Sequence, residues 1–122
     1  MYFLDDDSFA ANFGDEIMTM RTLTSLGALR GTQMCRCGRE MSRILTSKKK
    51  KFRCNRSGCK SEVSLRVGSV FHDSRKQCRQ LMRIGRCWLK RESRDEAVKS
   101  TLFDPETITT WYKRFAMMVF TA

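Results

Sequence analysis

Four cysteines, Cys35, Cys37, Cys54 and Cys59, are the residues of this sequence best suited to chemistry. One residue separates the first pair, four separate the second, and sixteen lie between the pairs. That is the layout of a two-knuckle zinc site. Zn²⁺ favours four tetrahedral thiolate ligands, and two tight turns joined by a hairpin bring them together without a large core. Disulfides are the competing use, but an intracellular setting keeps thiols reduced. Gly38 follows one pair and Gly58 lies within the other, where a turn around a metal needs backbone freedom. Cysteine fills all four ligand places and leaves none for a catalytic water, so one structural Zn²⁺ is the expected cofactor. Such an ion binds with on the order of 10 to 16 kcal/mol of apparent free energy, enough to fold a ribbon this small. Cys78 and Cys87 are nine residues apart, hence on opposite faces of a helix, and read as packing residues. His72, the single histidine, sits in a run from Ser69 to Ser74 that reads as a linker, and solvent is its expected neighbour.

The elements that must position these residues follow from the flanking pattern. Met41 to Thr46 and Phe52 to Cys54 read as hairpin arms, Lys48 to Lys51 as the tip, and Glu62 to Val67, alternating polar and apolar, as a third strand. Three helices follow. Ser74, with Gln77 three residues on, is expected to cap the first, which runs to about Arg91. On it Arg75, Arg79, Arg83, Arg86 and Lys90 fall within an arc of about 80°, opposite Leu81, Ile84, Trp88 and Leu89. A basic rail of roughly 24 Å results, with nothing on the same arc to neutralise it. Ser93 and Glu96 form a capping box for a short second helix that breaks around Thr101 to Phe103. Asp104 caps the third helix, with Pro105 at its first position. There Ile108, Trp111, Tyr112, Phe115 and Val119 make a core stripe, and Thr107, Thr109, Thr110, Lys113 and Arg114 face away from it. Two helices joined by a tight turn, the second carrying small polar and basic residues, match a helix-turn-helix.

Charge points to the partner. Residues 1 to 34 hold five acids and two arginines, whereas 22 basic and 8 acidic residues follow from Cys35 onward. The basic part suits a polyanion and the acidic part does not. Within 122 residues there is space for one ordinary domain or two very small ones, not for a two-lobed catalyst. No apolar run approaches the roughly 18 residues that span a bilayer, and Asp5, Asp6 and Asp7 stand where a secretion signal would be positive. A soluble intracellular chain with no membrane partner is expected. Phe9, Phe13, Ile17, Met20 and Leu23 recur at roughly helical spacing, so an acidic amphipathic helix is expected over Phe9 to Gly27. Its role is either to cover the core or to dock a protein partner or second copy through residues 1 to 30.

Beyond these patterns, the sequence resembles the N-terminal DNA-binding region of transposases of the Merlin and related bacterial ISXO2-like group. The likeness covers roughly Leu26 to Val119. It rests on Cys37-Gly38, Met41, Arg53-Cys54 and Cys59, then on Ser64-Leu65-Arg66-Val67-Gly68-Ser69-Val70-Phe71 with Ser74. Trp88 and Thr107-Ile108-Thr109-Thr110-Trp111-Tyr112 continue it. In that family a zinc ribbon and a helix-turn-helix precede an RNase H-like catalytic domain and are taken to recognise the transposon ends. The resemblance therefore implies double-stranded DNA as ligand. The first cysteine pair here is one residue tighter than is usual in the family. The sequence also lacks a carboxylate triad for phosphodiester chemistry, since Asp73, Asp95 and Asp104 sit in capping or helical positions.

The expected fold is α+β: an N-terminal acidic helix over 1–33, a zinc ribbon over 34–71 and a helix-turn-helix over 72–122. The expected function is non-catalytic, sequence-preferring binding of double-stranded DNA in transcription or chromatin regulation, in the nucleus if the source is eukaryotic. Lys48, Lys49, Lys50, Lys51, Arg53, Arg75, Arg79, Arg83, Arg86 and Lys90 would hold phosphates. Thr107, Thr110 and Lys113 would read the bases, and Thr109 and Arg114, on the same side of the helix, are further DNA-binding candidates. The alternatives are a protein-interaction module of a transcription or chromatin complex, and the DNA-binding piece of a full-length transposase. RNA fits less well, because the aromatics lie on helix core stripes rather than on a sheet.

Overall fold

A computed structural model describes residues 5–121, with side chains through residue 118. It is α+β, with five helices and one three-stranded antiparallel sheet. The chain forms two units, residues 15–75 and residues 5–14 together with 76–121. No helix among the described residues is long and apolar enough to cross a membrane.

The amphipathic stretch expected as one N-terminal helix is two: α1 (Asp6–Phe13) and α2 (Glu16–Ser25). Gly14 ends the first, and Asp15 turns extended to cap the second, its carboxylate accepting the Met18 N–H at 2.8 Å. A short polar side chain that can satisfy an orphan helix N–H restarts the helix instead of continuing it. The break places the two halves of this segment in different units.

In the ribbon unit the sheet order is β1 (Ser42–Leu45), β2 (Lys50–Arg53), β3 (Glu62–Ser64). Ser42 pairs with Arg53 and Leu45 with Lys50, so the hairpin loop is residues 46–49, and Lys50 and Lys51 belong to the second strand rather than to the tip. The Thr46 hydroxyl oxygen closes the loop by accepting the Lys48 and Lys49 N–H groups at 3.3 and 2.9 Å. The third strand is shorter than the alternation predicts. It gives way to turns at Leu65, where the Ser64 hydroxyl accepts the Arg66 N–H and the Ser64 carbonyl the Val67 N–H, at 3.1 Å each, and Gly68 follows at a φ of +71°. Phe52, Leu65 and Phe71 are fully buried with Met20 and Thr19 of α2, and Leu23, Leu29 and Met41 complete this core.

The helical unit holds α3 (Cys78–Leu89), α4 (Arg94–Thr101) and α5 (Pro105–Thr121), all in mutual contact. The first starts later than Ser74. The Arg66 guanidinium holds the Phe71 and Ser74 carbonyls, which keeps 71–74 in turns, and Gln80 Oε1 then accepts the Gln77 N–H at 3.0 Å where the helix begins. The second carries the expected box, with Ser93 and Glu96 exchanging backbone-to-side-chain bonds of 3.1 Å each. Thr101 is buried and its hydroxyl donates to the Ala97 carbonyl at 2.7 Å. Leu102 follows in the left-handed region at φ 64°, 86% exposed, and Asp104 caps α5 through the Thr107 N–H at 3.1 Å. Ile108, Trp111 and Phe115 form the expected stripe, while the side chain of Val119 lies outside the described residues. Cys78 and Cys87 are buried, as packing residues should be, and burial pushes the Cys87 thiol up. Trp111 and Trp88 both lie against Phe115, at ring separations of 5.8 and 6.3 Å.

The close approach of α3 to α5 depends on Gly85, where a Cβ would stand 2.9 Å from Phe115 Cζ. Gly85→Val should lower stability by about 1–3 kcal/mol through overpacking, read from chemical denaturation. Leu102→Gly should raise it by about 1 kcal/mol, since a left-handed backbone costs leucine that much and glycine nothing.

Candidate metal centre and basic faces

The first knuckle is a tight loop. Cys35 N–H donates to the Arg39 carbonyl at 2.8 Å, Gly38 N–H donates to the Cys35 carbonyl at 2.9 Å, and Gly38 sits at φ +91°. In the second, Cys54 N–H donates to Ser61 O and Cys59 N–H to Arg56 O, with Gly58 at φ +83°. Arg56 ties the two together by donating to the Cys37 carbonyl at 3.1 Å. The hairpin thus carries one cysteine pair at each root.

All four Sγ atoms lie within 4.8 Å of one another, with Cys35 to Cys59 at 3.5 Å and Cys37 to Cys54 at 3.6 Å. Metal–sulfur bonds of about 2.3 Å in a tetrahedron put ligand sulfurs about 3.8 Å apart, so the cluster can hold one metal ion. The one-residue spacing of Cys35 and Cys37 does not prevent this. His72 is exposed and takes no part.

The thiols divide in their affinity for protons. The Arg39 backbone N–H, with the Cys54 thiol and Arg56, draws Cys37 down to about 6. Cys59 is also lowered, first by the Ser61 hydroxyl and then by its N–H. Cys54 is pushed up to about 11: the Arg56 N–H favours its thiolate, but burial and the neighbouring thiols outweigh it. Four thiolates this close repel one another, and a divalent cation among them is the charge that lets all four ionise.

The residues expected to contact DNA fall on the hairpin, on α3 with the segment before it, and on α5. At the hairpin, Lys48 and Lys49 are exposed on the loop and Lys50 Nζ donates to Ser47 O at 2.9 Å. Lys51 and Arg53 meet Glu62 at 2.5 and 3.8 Å, so that side of the sheet is partly neutralised.

On α3, Arg79, Arg83 and Arg86 share one face with the cap residue Lys90, but Arg75 precedes the helix. Twelve residues make the helix about 18 Å long, shorter than expected. The rail is also not without neutralising charge. Arg86 pairs with Asp6 of α1, and its guanidinium stands 4.9 Å from the centre of the Phe9 ring. Arg83 donates to the Ser100 carbonyl of α4 at 3.3 Å. The sequence hid both contacts, because neither partner lies on the helix itself.

On α5 the outward face is Glu106, Thr110, Lys113 and Met117, four positions at helical spacing and all exposed. Thr110 and Lys113 were expected there, while Glu106 and Met117 were not singled out. Thr107 is turned to structure: its hydroxyl donates to Asp104 Oδ1 at 2.6 Å. Thr109 is half-buried, and Arg114 lies over the Trp111 ring at 4.7 Å. Tyr112 donates to the Glu92 carbonyl at 3.0 Å, and burial pushes its hydroxyl up to about 12.

Protein prepared with zinc should carry one equivalent by elemental analysis. Cys54→Ser should lose it, and chelation at neutral pH should expose Phe52 and Leu65 in the ribbon unit, read by amide exchange; retention of the metal by Cys54→Ser would remove the site. No family model, curated protein or solved structure matches the chain.

Proposed function

We propose that the protein binds double-stranded DNA without cleaving it, using a Zn²⁺-fixed ribbon and a helix-turn-helix whose α5 enters the major groove. The observation that carries this reading is the outward face of α5. Thr110 and Lys113 project from it after a three-residue turn from α4, and the residues from Cys35 onward carry a large basic surplus. A helix so presented can read base edges, and lysines elsewhere can hold phosphates. The resemblance to the DNA-binding region of Merlin-type transposases favours the same ligand. Zn²⁺ is the natural ion for four thiolates. Lys48, Lys49, Arg79 and Lys90 are the phosphate anchors, with Lys50, Lys51, Arg53 and Arg75 as flanking charge. Thr110 and Lys113 are the readers. Thr107 and Thr109 support them, and Arg114 borders that face.

A second reading, an interaction module of a transcription or chromatin complex, draws on two apolar residues of the helical unit. Leu102 is 86% exposed and Met117 65% exposed. Salt separates the two. With about six phosphate contacts the log–log dependence of duplex affinity on salt should have a slope near −5, whereas an apolar protein interface would respond far less. Selection from a random duplex library should enrich a motif. Lys113→Ala should flatten that motif, while Lys90→Ala should weaken all duplexes alike; equal effects from both would refute this division between reader and anchor.

A further inference from the structure

The charge on α3 is met from within the chain. Asp6 and Phe9 lie three residues apart on α1, hence on one side of that helix. Asp6 pairs with Arg86 and Phe9 lies beneath the same guanidinium. Arg83, Arg86 and Lys90, with Phe9, Cys87, Ser100, Thr101 and one acid, Glu92, surround a cavity of about 300 Å³, so cations outnumber the acid three to one in its lining. The Arg86 side chain is 20% exposed and lines this cavity, whereas its partner Asp6 is 85% exposed and lies outside the lining. Arg86, aided by Lys90, holds the Asp6 carboxyl below the usual carboxylate range. Asp5 and Asp7 flank it and make this end of α1 a run of three carboxylates.

Four cations on one helix face repel one another and favour any anion placed over them. An exposed ion pair contributes little, so an anion held in this way is exchangeable. We propose that α1 is an internal occupant of the polyanion-binding face of α3, with the Asp6 carboxylate standing on Arg86 where a DNA backbone phosphate would stand. This rests on the DNA-binding reading above. Arg86 is masked while α1 is docked and becomes a phosphate contact when the duplex displaces it.

The test compares Asp6→Asn with Asp7→Asn, which removes the same charge one residue away from the pair. Full-length zinc-loaded protein is titrated with a duplex of random sequence across a range of salt concentrations. Asp6→Asn should tighten binding about two- to five-fold at ~0.1 M salt and steepen the salt slope by about one. Asp7→Asn should do neither. Arg86→Ala should cancel the gain in the Asp6→Asn background and change the parent protein little. Helix content and melting of each variant, by circular dichroism, separate a local exchange from loss of fold. Equal gains from Asp6→Asn and Asp7→Asn, or the same loss from Arg86→Ala in both backgrounds, would overturn the proposal while leaving DNA binding intact. Failure of every variant and of the parent to bind duplex at low salt would overturn the DNA reading and this proposal together.

Discussion

Like charges forced together govern the ribbon unit. Its sheet has strands of only four, four and three residues and depends on packing against α2, whose Met20 and Thr19 are buried with Phe52, Leu65 and Phe71. Where its two knuckles meet, four thiols stand within 4.8 Å of one another and resist simultaneous ionisation. Cys37 gives up its proton readily and Cys54 keeps its own, so the cluster is divided until a cation joins it. The knuckle turns at Gly38 and Gly58 and the Arg56 tie bring those four sulfurs to the root of the hairpin. The burial of Phe52 and Leu65 adds to that closure.

The helical unit meets the same problem with different means. Arg79, Arg83, Arg86 and Lys90 share one face of α3, and the apolar face opposite packs closely enough on α5 to require a glycine at position 85. The surplus charge is relieved piecemeal, by a backbone carbonyl of α4 for Arg83 and by a carboxylate and an aromatic ring of α1 for Arg86. One repulsive cluster thus calls for a metal, and the other draws on the chain itself.

Much of this was legible in the residues. Cysteine spacing located the sulfur cluster, because ligand geometry leaves few alternatives for two close pairs. The Ser93–Glu96 and Asp104–Pro105 signals placed α4 and α5, since a helix start is set by a side chain that can reach its own backbone. What the pattern could not give were effects made by distant residues. Ser74 is a good capping residue, yet Arg66 claims its carbonyl and the helix starts at Cys78. A local effect also escaped it: the alternation through Val67 suggests a longer strand, yet Ser64 accepts the Arg66 and Val67 N–H groups and the chain turns. The basic arc on α3 was visible, but the acid that sits on it lies 80 residues earlier in the chain, beyond the range of any local periodicity.

That separation also bears on how the molecule is made. The helical unit is discontinuous: its first helix is synthesised before the whole ribbon unit, and the residues it meets come after. Until Arg83, Arg86 and Lys90 emerge, the Asp6 and Phe9 side chains have no cation to meet, and the Asp6–Arg86 contact closes a loop of 80 residues. Loop closure of that length costs entropy, while an ion pair whose acid is 85% exposed returns little. Docking of α1 therefore has to wait for α3, and it carries more than the ion pair, because Phe13 at the end of α1 is buried at 3% exposure.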